Sequence, residues 1–533
     1  MAEKPVKDLL DDHERGKTDN LRWRHLYRDA YRYTQPARDT VDNPQRGQRR
    51  FDVVFDSTGV KSTAKAANRL QDLMFPAGKN IVEPQPGPQF QGEDEEVRQQ
   101  IAKQLMDAND RWHAALWKSN FQQVINEGLQ DLLIGTASLL FNEGPPWDPF
   151  HFTAVPQFSI NFLEGPWGTI STVSREVRLR ADVAKKQWPN SNIDPTATGN
   201  ASEGDGDKRT YVEITYPDDE TAIVPPGELM PVPTKWFYTV IDLESQRKIF
   251  DQDKVIETAS PWIVPRWQKV AEETRGRGPI LQALPDIRTA NKVVELILKN
   301  ASLAITGIWT AVDDGVFNPN TAAFQSGSFI PVASNGGTRG PSIAPLEFPG
   351  NFDVSQIILA DQREQIKEAL FDNNLPPVAG PPRTATEFIE RLRNLQVDIG
   401  PAAGRIQKEL IDPLYLRGLH ILRKKGLVAI PDDLQLDSQT ISLQVVSPIA
   451  QRQALDNIQK VVQFLELVSF LGQEILHLKV KTDAIPAFIA KELGVPPDLL
   501  RNVAEQQNVL EAVAQAATQG QETEGNAPTP AAP

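Results

Sequence analysis

Apolar residues recur along this chain at two periods, and the change from one to the other divides it. In "DNLRWRHLYRDAYRYTQP", Trp23, Leu26, Tyr27, Ala30 and Tyr31 stand three or four apart, which predicts a helix that stops at Pro36. Arginines alternate with the aromatics there. That pattern fits either a stacking platform for nucleic acid or, more simply, an amphipathic helix whose arginines lie over apolar neighbours. In "FDSTGVKSTAKAANRLQDLMFPAGK", Val60, Ala64, Ala67, Leu70 and Met74 form a second helical face ending before Pro76. Residues 94–141 read as long helical segments, with Leu105, Trp112, Leu116, Phe121, Ile125, Leu129 and Leu132 as their core.

From about 150 to 270 the grammar changes to alternating and β-branched runs such as "HFTAVPQFSINF", "TISTVSREVRLR", "TYVEITY" and "WFYTVIDL", parted by Gly, Pro and Asp clusters. The insert "NIDPTATGNASEGDGDKR" is polar and reads as a mobile surface loop. Helical spacing resumes with Ile280, Leu284, Ile287, Val294, Leu298, Ala301 and Ile305, entered through Gly278-Pro279. Residues 307–350 are rich in Gly, Pro, Ser and Asn with short β-type runs, an irregular insertion between two helices. The second of these helices, 353–371, carries Val354, Ile358, Ile366, Ala369 and Leu370. Phe388, Leu392, Leu395 and Ile399 begin a further helix, expected to kink near Pro401 and run past Pro413 toward Gly426. More helices are expected beyond about 440, and the tail "TQGQETEGNAPTPAAP" lacks the apolar content to fold. The class is α+β.

Composition narrows the chemistry. A chain of 533 residues is too long for one compact core, so two to four regions are expected. Its net charge of −14 argues against an outer surface that wraps nucleic acid. With no cysteine, disulfides, thiolate chemistry and cysteine-based zinc sites are excluded, which fits synthesis in a reducing cytoplasm. Neither a secretory h-region nor an apolar run long enough to span a bilayer is present, so a soluble protein is expected. The fragment "GVKST" lacks the G-x-x-x-x-G-K spacing that cradles phosphates, and "HERGK" is not H-E-x-x-H. The histidines at 13, 25, 113, 151, 420 and 477 have no metal-ligand spacing. No enzyme, cofactor or metal site is expected.

One stretch asks for a special explanation. "DNNLPPVAGPPRTATEFIERL", residues 372–392, places four prolines and one glycine between two helical patterns. Prolines restrict the conformations open to residues 375–382, and Gly380 permits the bend. Thr384 and Glu387 then make a capping box, in which the Thr384 hydroxyl and the Glu387 carboxylate each accept from the other's amide.

The order helix, small insertion, helix, rigid loop, long kinked helix resembles the central unit of tailed-bacteriophage portal proteins, the head-to-tail connectors, specifically the short-tailed T7-like family. The resemblance rests on "RWRHLYRDAYRYTQP", "FDSTGVKSTAKAANRLQDLMFPAGK", "SPWIVPRWQKVAEETRGRGPILQALPDIRTAN" and "PPRTATEFIERLRNLQVDIGPAAGRIQKELIDPLYLRGLHIL", in that order along most of the chain. It implies a portal fold with wing, stem, clip and helical crown, assembled as a ring of about twelve subunits around a DNA channel. Residues 1–278 then resemble the wing, 279–306 the descending stem helix, 307–352 the clip and 353–372 the ascending stem helix. Residues 373–385 resemble the tunnel loop, 386–439 the long wing helix and return segment, 440–518 the crown and 519–533 a disordered tail.

The resemblance also implies site residues. The tunnel loop is Leu375, Pro376, Pro377, Val378, Ala379, Gly380, Pro381, Pro382 and Arg383; Arg383 either meets DNA phosphates or pairs locally with Asp372 or Glu387. Asp353, Asp361, Glu364, Lys367, Glu368 and Asp372 become candidates to line the channel as a mainly repulsive wall that lets DNA slide, or else members of a subunit interface. Trp309, Asp313, Asp314, Phe317, Phe324 and Arg339 fall in the clip, where terminase and later tail adaptors would dock. Other implied partners are double-stranded DNA, the major capsid and scaffolding proteins and internal core proteins, with no membrane. The location would be the portal vertex of a virion assembled in the host bacterial cytoplasm. The rival readings are a tail adaptor or other head-completion protein, and a packaging ATPase or nuclease.

Overall fold

The computed structural model describes residues 4–38, 51–78, 80–86, 95–165, 168–194, 208–217, 236–252, 260–306, 309–311, 343–345, 352–372, 402–428, 441–445 and 461–464. In chain order the elements open with α1 (Val6–Thr34), α2 (Thr58–Met74), β1 (Val82–Pro86), α3 (Glu95–Lys118), α4 (Phe121–Ile134), β2 (Leu139–Glu143) and β3 (Phe150–Ala154). There follow β4 (Ile160–Glu164), β5 (Ile170–Arg180), α5 (Ala181–Gln187), β6 (Lys208–Pro217), β7 (Trp236–Asp242), β8 (Arg247–Gln252) and β9 (Trp262–Ile263). Then come α6 (Pro279–Thr306), β10 (Trp309–Ala311), β11 (Ile343–Pro345), α7 (Phe352–Ala369), α8 (Asp412–Lys424) and β12 (Ile441–Val445).

The chain divides into two compact units, Met1–Asp72 with Lys118–Ile421, and Leu73–Trp117 with Leu422–Pro533. A division in linear order, with 1–278 as one block, therefore misses an excursion: the chain leaves the first unit after Asp72 and returns at Lys118.

The first unit is built on an antiparallel sheet in the order β4-β5-β6-β7-β8. Strand β6 has successive side chains on opposite faces, and both faces are covered. On one, Val212, Ile214 and Tyr216 pack with Ile241 and with Leu9 of α1. On the other, Tyr211 packs with Val240, Ile249, Ala181 and Ala184 of the short helix α5, and Trp188 just after it. A smaller sheet, β3-β2-β9, gathers Phe141, Phe150 and Phe152, with Phe121 of α4 against Phe152.

Helix α1 begins at Val6, well before the apolar spacing announces it. Its buried stripe there is Leu9, His13, Gly16 and Asn20, three of which do not read as core. The packing explains them. His13 Nδ1 lies 2.9 Å from Ser174 Oγ and its Nε2 3.1 Å from Glu176, while Lys17 donates to the same carboxylate at 2.6 Å. Those hydrogen bonds hold Glu176 down to about 2. Asn20 donates to Asn161 Oδ1 at 2.9 Å, and Gly16 lets the helix lie close over Asn161. Trp23, Tyr27 and Tyr31 point inward, so the amphipathic reading of this helix holds and its aromatics are not a stacking platform.

Two further expectations are corrected. Helix α4 ends at Ile134, and 139–143 is a strand. The chain turns at Gly135, which crosses Gly276 so closely that a Cβ on either would collide with the other's carbonyl. In α2 the buried face is Ser62, Thr63, Ala66, Ala67, Leu70 and Leu73, while Ala64 is exposed and Val60 only half-buried. Ser62 is buried because it has an acid to bond, described below. The seven core residues predicted between 105 and 132 are all buried. The insert 195–207 lies outside the described residues.

In the second unit, β1 and β12 pair antiparallel from Val82↔Val445 to Pro86↔Ile441. A strand at 441–445 departs from the all-helical expectation beyond 440. His113 of α3 accepts from the Ile81 amide through Nε2 at 2.8 Å, so its proton sits on Nδ1, 2.9 Å from the Asn109 carbonyl oxygen. Burial pushes this imidazole down to about 4, consistent with a neutral ring.

Candidate functional site: the α6–α7 helix pair

Helix α6 starts where the sequence places its entry. Pro279 takes the first position, where its missing amide costs nothing, and the Gly278 amide bonds the Ile134 carbonyl at 2.8 Å. The first half of α6 is core: Ile280, Ala283, Leu284, Ile287 and Ala290 are buried. From Lys292 to Ser302 no side chain is buried, and Leu296 and Leu298 are about half exposed. Helix α7 packs along α6. The intervening strands β10 and β11 pair antiparallel, Trp309↔Pro345 to Ala311↔Ile343, so the two helices run in opposite directions from that hairpin. Leu359, Ile366 and Leu370 face inward. Ile358, predicted as core, is half exposed, because the buried stripe runs through Leu359 one residue on.

A buried acid locks the pair at mid-height. Asp56, which is 5% exposed, accepts from Arg363 at 2.7 and 2.8 Å and from the Thr58 amide at 2.7 Å, capping the start of α2. Asn291 of α6 accepts from the amides of Phe55 and Asp56 at 2.7 and 3.0 Å and donates to the Val53 carbonyl. Burial by itself would raise the Asp56 carboxyl. The hydrogen bonds from Thr58 and Arg363 outweigh it and leave the group below the ordinary carboxylate range.

The far end of α7 is clamped as firmly. The Asp372 amide reaches back to the Lys367 carbonyl at 2.7 Å and the Phe371 amide to that of Glu368 at 3.1 Å, a closed C-terminal turn. Phe371 adopts a left-handed φ of 56°, a position usually left to glycine, with its ring 6.0 Å from that of Trp267 and its carbonyl bonded by Arg69. Asp372 is 1% exposed and accepts from Ser62 at 3.0 Å and Lys65 at 3.2 Å, with Arg69 at 3.7 Å.

The predicted residues therefore separate. Asp361, Glu364 and Glu368 are exposed on one stripe of α7, with Lys367 half-buried and 2.8 Å from Glu364. Asp372 differs from these: it is buried within the subunit, where one carboxylate oxygen accepts from Ser62 and Lys65. Asp353 lies on α7 and Trp309 on β10. Leu375, Pro376, Pro377, Val378, Ala379, Gly380, Pro381, Pro382, Arg383, Thr384 and Glu387, and the clip residues Asp313, Asp314, Phe317, Phe324 and Arg339, lie outside the described residues. Sequence reading missed Asp56, Asn291 and Arg363 as a unit. Its only signals were an acid two residues before a helix start and an asparagine on an otherwise apolar helical face.

A third anchor holds the helix that follows. Before Pro413, Gln407–Ile411 form a π-helical turn, so the helix widens there and α8 then continues beyond the proline. This turn presents Glu409 to Arg266, which is 1% exposed. The Arg266 amide and side chain donate to both carboxylate oxygens at 2.7 to 3.1 Å, and its other nitrogen meets Glu164. Gly426, at φ 67°, closes α8 where the sequence anticipates its end.

Among the described residues no helix is long and apolar enough to cross a membrane, and no group of three His, Cys, Asp or Glu side chains is placed to hold a metal. A probable portal protein of Bordetella phage BPP-1 is 26% identical over 254 residues, which span 45% of this chain and 43% of that relative. Among solved structures, a chain from the neck of an empty gene transfer agent particle, computed with C6 symmetry, superposes with a TM-score of 0.35 at 14% identity. That match covers 85% of this chain and 95% of the other. One from the neck of the native particle, computed with C12 symmetry, matches with the same TM-score and identity over 80% and 91%. Both superpositions are loose. The family model of bacteriophage head to tail connecting proteins matches residues 6–500, and this chain belongs to that family.

Proposed function

We propose that this protein is a bacteriophage portal protein of the short-tailed, T7-like type. It forms a ring of twelve subunits at one capsid vertex, through which double-stranded DNA is packaged and later ejected. The observation that carries this reading is the connector-family match across nearly the whole chain. The antiparallel pair α6–α7 with its β10–β11 hairpin supports it, as the helix–insertion–helix unit of a stem and clip. In this reading the hairpin end docks terminase during packaging and tail adaptors afterwards. The wing and crown meet the major capsid, scaffolding and internal core proteins. ATP hydrolysis belongs to the terminase. The closed turn at Phe371 and Asp372 gives residues 373–385 a fixed root from which to project as a tunnel loop. The protein assembles in the host bacterial cytoplasm and resides in the virion.

Electron microscopy of the purified protein with rotational averaging of top views tests this. Rings of about twelve subunits with an axial hole are the expected result. A chain that stays monomeric with scaffolding protein at high concentration overturns it in favour of a tail adaptor.

A further inference from the structure

The two helices of the pair carry opposite charge on their outer stripes. On α6 the exposed side opposite Ile287, Ala290 and Asn291 presents Lys292, Leu296 and Lys299, preceded by Arg288, which pairs with Asp29 of α1 at 3.3 Å, all spaced three or four apart. Their lone acid, Glu295, is the least exposed of the group and sits between Lys292 and Lys299 at 3.0 and 2.6 Å. On α7 the side opposite Leu359, Ile366 and Leu370 presents Ile357, Asp361, Glu364 and Glu368 at the same spacing. Of the nearby cations, Arg363 reaches inward to Asp56, and Lys367 pairs with the stripe's own Glu364, leaving Asp361 and Glu368 in excess. Each stripe also holds one exposed apolar residue, Leu296 at 48% and Ile357 at 71%.

The levels match as well. Asn291 and Arg363 both reach Asp56, so they mark one height on the antiparallel pair. Counting from there at about 1.5 Å per residue, Arg288 stands level with the stretch between Glu364 and Glu368. Lys292 stands level with Asp361 and Glu364, and Leu296 with Ile357 and Ile358. Copies related by rotation about an axis present equal heights to one another, and a head-to-tail ring contact joins two different faces of the same chain.

We propose that the basic stripe of α6 docks against the acidic stripe of α7 on a second copy of this chain, with Leu296 seated against Ile357 at the centre. This rests on the ring reading and specifies its contact. The acids of α7 then set the order and spacing of subunits, and it is the neighbouring subunit they face, not the DNA.

Two variants of the full chain test the contact. Lys292→Glu with Lys299→Glu makes both faces acidic, and Asp361→Lys with Glu364→Lys makes both basic. Each alone should require about tenfold or more higher concentration to form rings, read by sedimentation velocity at moderate salt, because like charges then meet around the whole ring. Mixed in equal amounts, the two should assemble at wild-type concentration into rings of alternating subunits, seen as an even-numbered mixed oligomer by native mass spectrometry. Far-UV circular dichroism establishes that each variant is folded. Rings formed by either folded variant alone at wild-type concentration overturn the proposal, as does a mixture that assembles no better than its parts. Rings that stay intact while their retention of duplex DNA changes overturn it in favour of a channel-lining role. A wild-type chain that forms no ring overturns the ring reading and this contact together.

Discussion

The α6–α7 pair uses charge in opposite ways on its inner and outer sides. On the inner side, Asp56 and Asp372 are almost wholly buried, and each is met by several donors from elsewhere in the chain. On the outer stripes, charges such as Lys299 and Glu364 are exposed and paired only with a neighbour three or four residues away. Buried charges without partners are costly, so the first kind specifies one arrangement of the subunit. Exposed pairs add little stability to a single chain and remain available to another. The acids along α7 and just beyond it look alike in sequence and divide between these roles.

The sharpest break of this comparison is at the third buried anchor. Glu409→Ala strips Arg266 of its bidentate partner inside the protein and should cost about 3 kcal/mol. Hydrogen–deuterium exchange around 264–276 and 405–415 reads it, since a chain of two units need not melt in one step. Protection unchanged there would mean that Glu164 and the carbonyls of Gly168 and Thr274 satisfy the arginine.

Asp372→Ala should follow, at about 2 kcal/mol, because it leaves the buried Ser62 hydroxyl without its acceptor, whereas Lys65 and Arg69 can turn to water. The amides of residues 366–372 should exchange faster while the first half of α6 stays protected.

The Asp56 anchor adds a pH dependence. Its carboxyl is held below its ordinary value in the folded chain, so its contribution is fully present above that value and is lost as pH falls below about 4. Asp56→Asn should flatten the acid limb of the unfolding midpoint against pH. An unaltered limb would assign acid sensitivity to another group, with Glu176, held at about 2, the next to test.

The smallest effect is expected on the exposed stripes. Lys299→Ala or Glu364→Ala should leave subunit stability within about 0.5 kcal/mol of wild type, by thermal unfolding of unassembled chain. A loss above about 2 kcal/mol would place these side chains in the fold and blur the contrast between the two sides.

Much of the fold was legible because periodicity and punctuation are local signals. The α6 bounds, the close of α8 at Gly426 and the strands between 150 and 252 follow from spacing, Gly-Pro entry and β-branched alternation. The core of α3 and α4 was readable because Leu105, Trp112, Leu116 and Leu132 are apolar and helically spaced. The first turns of α1 were not, since His13, Gly16 and Asn20 belong to the core only through Ser174, Glu176 and Asn161, far along the chain. Nor was the interleaving of the two units, which no linear reading can detect.

By itself, then, the sequence determined an α+β chain without cysteine, its helix–insertion–helix order, and its likeness to connectors. These rest on local propensity and on the order of elements. Only the tertiary structure decided that Asp372 is a buried anchor while Asp361, Glu364 and Glu368 face outward, and that Asp56 joins α2, α6 and α7. The physical reason is that an acid's role depends on which donors and how much water surround it. In this chain those donors lie as many as 310 residues away.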